Sequence, residues 1–211
     1  PVSFYERRRT GLVGMNNDVI LKSISDSIAV KQKVLEDTEL VQSIRGIADE
    51  CIAAYRAGNR VLLAGNGGSA ADAQHIAAEF VGRYAFDRPA LSSIAFTTDT
   101  SMLTAIGNDY GYDQIFRRQL EANGREGDVF IGISTSGNSP NVIAALERSR
   151  ELGIVSAGLT GQGGGKMRSV CDYCIRIPSE STPRIQECHI LVGHIICGMV
   201  EDTLFGGQIS Q

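Results

Sequence analysis

Val61-Leu62-Leu63-Ala64 runs directly into Gly65-Asn66-Gly67-Gly68-Ser69, and the helical pattern that follows carries His75 and Glu79 on one face. A short, wholly apolar run reads as a strand buried on both sides, and a glycine-rich turn after it reads as the opening of a helix. Backbone N–H groups at such a turn suit an anionic or polyhydroxyl ligand. The spacing of His75 and Glu79 puts an imidazole and a carboxylate about one turn apart on the same side. One short unit of chain therefore combines a binding loop with a candidate acid/base or metal pair. The chain holds only three histidines, so one at this position carries weight.

Working outward, two helical patterns precede this unit, Val19 to Asp37 and Thr38 to Ala57, closed by Gly58-Asn59. After it, apolar runs rich in β-branched residues alternate with helical segments. The expected strands are Val61–Ala64, Ser92–Thr97, Val129–Ile133, Ile154–Leu159 and Tyr173–Ile177. The expected helices between and after them are Ala70–Arg83, Ser101–Ile106, Asp113–Ala122, Pro140–Leu152 and Arg184–Leu204. This alternation predicts an α/β fold, a five-stranded parallel sheet covered on both faces, preceded by N-terminal helices. No repeat or linker divides it. Residues 1–14, with Pro1 and the basic cluster Arg7-Arg8-Arg9, look foreign to the amphipathic pattern that starts at Met15; they are expected to be an extension before a single domain over 15–211.

With 211 residues, 43% hydrophobic and 21% charged, the chain suits one well-buried domain. A net charge of −4 argues against a nucleic-acid groove or an anionic membrane surface as the main partner. No membrane span is expected, because the apolar stretch near Ile190–Val200 is broken by Gly193, His194 and Gly198. The five cysteines lack disulfide-scaffold spacing, and Cys171-x2-Cys174 has no second pair with which to build a zinc ribbon. Reduced structural thiols in a cytoplasmic protein are the expectation.

In a parallel sheet of this kind, ligands sit at the carboxyl ends of the strands. Four polar loops should meet there: Gly65 to Ser69, Thr97 to Thr100, Ser134-Thr135-Ser136-Gly137-Asn138-Ser139, and Thr160 to Gly165. The Ser134–Ser139 run stands immediately before a helix, so its hydroxyls and the helix N-terminus suit the phosphate of a phosphosugar. Ser139-Pro140 also reads as an ordinary N-cap with proline at the first helical position. No nucleotide P-loop is present, and the loose G-x-G-x-x-A pattern lacks the acidic residue a dinucleotide site needs. On the last helix, Gln186 and His194 lie about 80° apart around the axis, whereas His189 points elsewhere and reads as structural. Glu187 reads as a solvated or capping carboxylate. Asn108-Asp109-Tyr110-Gly111-Tyr112 reads as a turn that closes the pocket.

These segments together resemble the sugar isomerase (SIS) domain family, in the branch that acts on a seven-carbon ketose phosphate. The matching residues are Gly65 to Ser69, Asp72-Ala73-x-His75-x3-Glu79-x3-Arg83-Tyr84, Gly107-Asn108-Asp109, Gly124 to Asp128, Ser134 to Ser139, and Arg184-Ile185-Gln186-Glu187-x-His189-x4-His194. The resemblance implies a single three-layer α/β/α domain and a homotetramer built around N-terminal helices, with active sites at subunit interfaces. It implies substrate contacts from Asn66, Gly67, Gly68, Ser69, Glu79, Arg83, Asn108, Asp109, Ser134, Thr135, Ser136, Ser139 and Gln186. It further implies one Zn2+ per subunit on His75, Glu79, Gln186 and His194.

The activity implied is conversion of sedoheptulose 7-phosphate to D-glycero-D-manno-heptose 7-phosphate, the first step of ADP- or GDP-heptose synthesis for lipopolysaccharide or capsule. Aldose–ketose interconversion needs a base beside the carbonyl and an acid that serves its oxygens; Glu79 and His194 are the expected pair, acting through an enediol. The competing reading is a non-catalytic sugar-phosphate-binding regulator or a replication-initiator-associating protein. Thr97 to Thr100 and Glu201-Asp202-Thr203-Leu204-Phe205 are similar to that branch, but the presence of both Glu79 and His194 speaks for an enzyme.

Overall fold

β1 (Val61–Gly65) is buried at every residue and pairs in parallel on both sides, Val61 standing opposite Ser93 of β2 (Ser93–Ala95) and Val129 of β3 (Val129–Ile133). β4 (Val155–Gly161) and β5 (Tyr173–Ile177) complete a five-stranded parallel sheet of order β2-β1-β3-β4-β5. The computed structural model describes residues 9–208.

Alternation along the strands divides the core. Val61, Leu63, Val129 and Ile131 face one side, where α1 (Arg9–Glu36), α2 (Thr38–Arg56), α3 (Gly68–Val81) and α7 (Thr182–Phe205) pack. Leu62, Ala64 and Phe130 face the other, against α4 (Thr100–Tyr110), α5 (Ile115–Asn123) and α6 (Pro140–Glu151). A two-residue period with both faces apolar is what a sheet between two helical layers requires. The fold is the expected three-layer α/β/α arrangement. The boundary expected at Met15 falls within α1, and residues 1–8 lie outside the described residues.

Two expectations are corrected, and a third, the buried last helix, holds. β2 is shorter than Ser92–Thr97, because the chain turns after Ala95 and Asp99 takes up the next helix, its Oδ1 accepting the Met102 N–H at 2.8 Å. Asn108 and Asp109 stand in the last turn of α4 rather than in a pocket-closing turn; the helix runs through Gly107 and ends only at Gly111, where φ is +89°. α7 is, by length and composition alone, long and apolar enough to cross a membrane. Its Ile185, Cys188, Val192, Ile196 and Val200 instead pack into the core.

Two buried polar groups tie α7 down. Glu201 accepts backbone N–H bonds from Tyr84 (2.8 Å), Ala85 (2.6 Å) and Phe86 (3.2 Å), and the Arg88 Nε at 2.9 Å. Both side chains of the pair are only 1% exposed. Burial pushes the Glu201 carboxyl up, but these donors together outweigh it and hold the group below its ordinary value. His189, fully buried, donates Nε2–H to the Thr160 carbonyl of β4 at 3.1 Å, as the structural reading expects. Burial lowers its pKa to about 4 against the opposing effect of that carbonyl, and its Nδ1 has no partner to receive a second proton.

Removing one partner of the buried pair strands the other, so Glu201→Ala should cost about 3–5 kcal/mol in chemical denaturation. For His189, the unfolded chain binds the proton more tightly than the native state below its ordinary value of 6.5. Stability should therefore fall as pH drops from about 6.5 toward 4, at up to about 1.4 kcal/mol per pH unit. Denaturation midpoints across that range should show the slope, and His189→Gln should flatten it.

Candidate active site

α3 and α7 cross close together, and the cause is visible in one residue. A side chain on Gly193 would begin 2.5 Å from the Ile76 Cδ1, so only glycine permits the approach. The neighbours of these two residues, His194 and His75, are thereby brought together edge to face, with ring centroids 5.0 Å apart and planes 78° apart. Their Nε2 atoms are 3.5 Å apart, and the His75 Nε2 is 3.0 Å from the Glu79 Oε1. Tyr84 covers His194 from the other side at 5.6 Å between ring centroids. The His75 side chain is 49% exposed and that of Glu79 is 22% exposed, so the cluster opens to solvent.

One donor atom from each of His75, Glu79 and His194 lies within 4.8 Å of the others. Tetrahedral zinc with bonds of about 2.0–2.1 Å has ligand–ligand edges near 3.3 Å, and the separations of 3.5 and 3.0 Å fall on either side of that value. The three side chains are therefore a group able to hold a metal ion. The Gln186 side chain stands at the start of α3. Its carboxamide lies against Gly68, the first residue of α3, where a side chain would sit 2.5 Å from Nε2. Asp72, which opens the matching motif, lies three residues before His75. One of its carboxylate oxygens is buried with no hydrogen-bond partner, and burial raises its pKa against the lowering by His75.

The loops at the carboxyl ends of β1 and β3 form the second part of the site. α3 opens on Gly67, with φ +57°, and has no side-chain cap. Ser139 stands at the N-cap of α6 with proline following, as read, but makes no capping bond: its hydroxyl meets the Ser134 hydroxyl at 2.8 Å instead. Ser134 Oγ is also 3.4 Å from Ser136 Oγ. Pro140 brings no N–H to the start of α6 and the Val142 N–H is taken by the Asn141 Oδ1 at 2.9 Å, so the clustered hydroxyls and the helix dipole are what suit this end to an anion. By contrast, the starts of α2 and α4 are capped by Asp37 and Asp99. Asn66 joins the two loops through a reciprocal amide pair with Asn141, both bonds 2.9 Å. Tyr112 donates to the Asn66 Oδ1 at 3.2 Å. A cavity of about 240 Å³ opens between Thr135, Ser136, Gly161, Gln162, Ser179 and Thr182.

Of the remaining expected residues, Gly67 and Gly68 form the start of α3, Thr135 lines the cavity, and Ser69 is 4% exposed behind its loop. Arg83 is exposed just after α3. Asn108 donates to Asp109 at 2.8 Å, and both stay exposed at the end of α4. Glu187 is paired with Arg184 at 2.5 Å. Tyr112, expected in a pocket-closing turn, reaches Asn66, and Tyr84 of the matching motif covers His194, whereas Asn141 carries no signal in the sequence and only tertiary contact brings it to the site.

A family model described as the SIS domain matches residues 25–161. The phosphoheptose isomerase of Aneurinibacillus thermoaerophilus is 63% identical over 189 residues, covering 90% of this chain and 96% of that protein. Phosphoheptose isomerase 2 of Campylobacter jejuni is 60% identical over 194 residues, covering 92% and 96%. The solved phosphoheptose isomerase of Neisseria gonorrhoeae is 42% identical, with a TM-score of 0.83 over 88% of this chain and 98% of that one. The chain belongs to the SIS domain family and, within it, to the phosphoheptose isomerases. It is a sugar-phosphate isomerase.

Proposed function

We propose that the chain interconverts sedoheptulose 7-phosphate and D-glycero-D-manno-heptose 7-phosphate through an enediol, with Glu79 as base and His194 as acid. The observation that carries this reading is the convergence of Glu79 with His75 and His194 where α3 and α7 cross. Glu79 removes the proton from the carbon beside the carbonyl and returns it to the neighbouring carbon, while His194 moves protons between the two oxygens. The phosphate is held by Ser134, Thr135, Ser136 and Ser139 at the start of α6, which anchors one end of the substrate and places the other by proximity. Asn66, Gly67, Gly68, Ser69, Arg83, Asn108, Asp109 and Gln186 are assigned to the sugar.

One Zn2+ per subunit is assigned to His75, Glu79 and His194 with Gln186 as fourth ligand; when bound it would polarise the carbonyl and offset developing negative charge. Two imidazoles and a carboxylate at these separations support that choice. A homotetramer with active sites at subunit interfaces is supported by the apolar surface of α1. Val19, Leu21, Ile28 and Leu35 there are 61–72% exposed. An apolar cavity of about 460 Å³ lies between α1, α2 and α7, lined by Val34, Leu35, Val41, Ile195 and Met199. Surfaces of this kind mark association. The reaction is assigned to the cytoplasm, as the first step toward nucleotide-activated heptose for lipopolysaccharide or capsule, in keeping with the name its bacterial relatives carry. The non-catalytic regulator reading is not favoured, because both Glu79 and His194 are present and meet.

A coupled assay with sedoheptulose 7-phosphate, with and without a chelator, tests the reading: turnover is expected, and its absence in metal-replete protein would overturn it. Glu79→Gln should lower kcat about 10²–10⁴-fold with little change in KM. Ser136→Ala should instead raise KM about tenfold or more and leave kcat nearly intact, the loss of one hydrogen bond to a charged group.

A further inference from the structure

Gly158 stands in the middle of β4, where glycine weakens a strand and calls for a reason. A side chain there would begin 3.0 Å from the Met167 Cε, 3.1 Å from the Cys171 Sγ and 3.9 Å from the Cys174 Sγ. The missing side chain leaves room for two sulfurs and a thioether to share one space. Cys171 lies just before β5 and Cys174 within it, and β5 is an edge strand with one free side. Both cysteines are partly exposed, whereas Cys51, Cys188 and Cys197 are at most 1% exposed. A small surface pocket of about 80 Å³ reaches Cys174 beside Arg176 and Ser43.

This pair is wired to the phosphate loop. The Cys171 thiol donates to the Met167 carbonyl at 2.9 Å, and the Cys171 N–H reaches the same oxygen at 3.2 Å. The Met167 N–H in turn holds the Gly137 carbonyl at 3.1 Å, and the Lys166 N–H holds the Asn138 Oδ1 at 3.0 Å. The segment 166–169 is thus a brace between Cys171 and the Ser134–Ser139 loop.

We propose that Cys171 and Cys174 are a redox-active dithiol, which a low-molecular-weight disulfide oxidises to an internal disulfide that loosens the Ser134–Ser139 loop and weakens sugar-phosphate binding. This departs from the reading of these cysteines as structural thiols. The consequence for binding rests on the function proposed above; the thiol chemistry does not. The Cys174 thiolate attacks one sulfur of the small disulfide and displaces a thiolate, giving a mixed disulfide. That departing thiolate takes the Cys171 proton, and the Cys171 sulfur attacks the Cys174 sulfur and releases the second thiol. One small disulfide becomes two thiols while the protein loses two hydrogens. Cys174 is the attacking group: the neighbouring Cys171 thiol, the Thr160 hydroxyl and the charges of Arg176 and Arg168 outweigh its burial and bring it down to about 7, while Cys171 is raised. Once Cys171 is bonded to sulfur, its proton no longer reaches the Met167 carbonyl, which keeps only the backbone N–H groups of Val170 and Cys171, and the brace is weakened.

The full-length protein is equilibrated in glutathione buffers of graded oxidation, then read by intact mass, by amide hydrogen exchange over residues 134–139, and by KM for the sugar phosphate. The expected result is a species about 2 Da lighter without an adduct. It should show faster exchange in that loop and a KM about tenfold higher, the worth of one hydrogen bond at the anion site. Dithiothreitol should reverse all three, and the Cys171→Ser/Cys174→Ser variant should be unresponsive with basal activity intact. Protein that stays at its reduced mass, or that forms the disulfide with unchanged loop exchange, overturns the proposal. If the reduced protein does not turn over the sugar, the functional reading fails, and mass and loop exchange still decide this one.

Discussion

Arg88 and Glu201 meet at 2.9 Å with both side chains almost wholly out of water, and the relation between α3 and α7 depends on them. Two buried charges are costly to desolvate, and such a pair holds only when the remaining donors and acceptors are satisfied. Here they are. Glu201 takes three backbone N–H groups from the Tyr84–Phe86 turn, while Arg88 donates to the carbonyls of Glu79 and Phe80, each at 2.8 Å. One ion pair thus binds the C-terminal turn of the helix that carries Glu79 to the helix that carries His194. Glu201 lies seven residues after His194, about two turns along the same face. The same turn presents Tyr84 to His194. The charged pair fixes one end of the crossing, and the close contact of Gly193 with Ile76 fixes the middle.

The end proposed to hold phosphate is built on the opposite principle. α2 and α4 are closed by aspartate side chains, whereas α5 and α7 begin without a side-chain cap. Helices that begin at the carboxyl ends of β1 and β3 are left open, and the hydroxyl that would cap α6 is turned to another serine. Forgoing a cap costs roughly 1 kcal/mol. A ligand phosphate would supply the missing acceptor. Local stability is given up where binding is needed, and the buried core behind the loops compensates for it.

The five-stranded parallel sheet and the pairing of a glycine loop with His75 and Glu79 were legible because they rest on short-range pattern: apolar runs, a glycine turn, and a fixed spacing. The convergence of His194 with them was legible only through resemblance, since nothing local to α7 says which helix it crosses. What escaped was tertiary. Asn141 reads as an ordinary first-turn residue, and its pairing with Asn66 exists only because β1 and β3 are neighbours. Arg88 follows a loop-like stretch and gives no sign of burial. Asn108 and Asp109 were misplaced because Asn, Asp and Gly favour turns, whereas Gly107 is tolerated within α4 and the helix ends one glycine later.

The account stands or falls on a proton leaving carbon through Glu79. In deuterium oxide, turnover of sedoheptulose 7-phosphate by metal-replete protein should yield an aldose carrying solvent deuterium at the carbon next to the aldehyde, as read by NMR. Glu79→Gln should introduce almost none. An aldose that keeps only hydrogen at that carbon after many turnovers would contradict the account, because the hydrogen would then have passed between carbons without visiting a base.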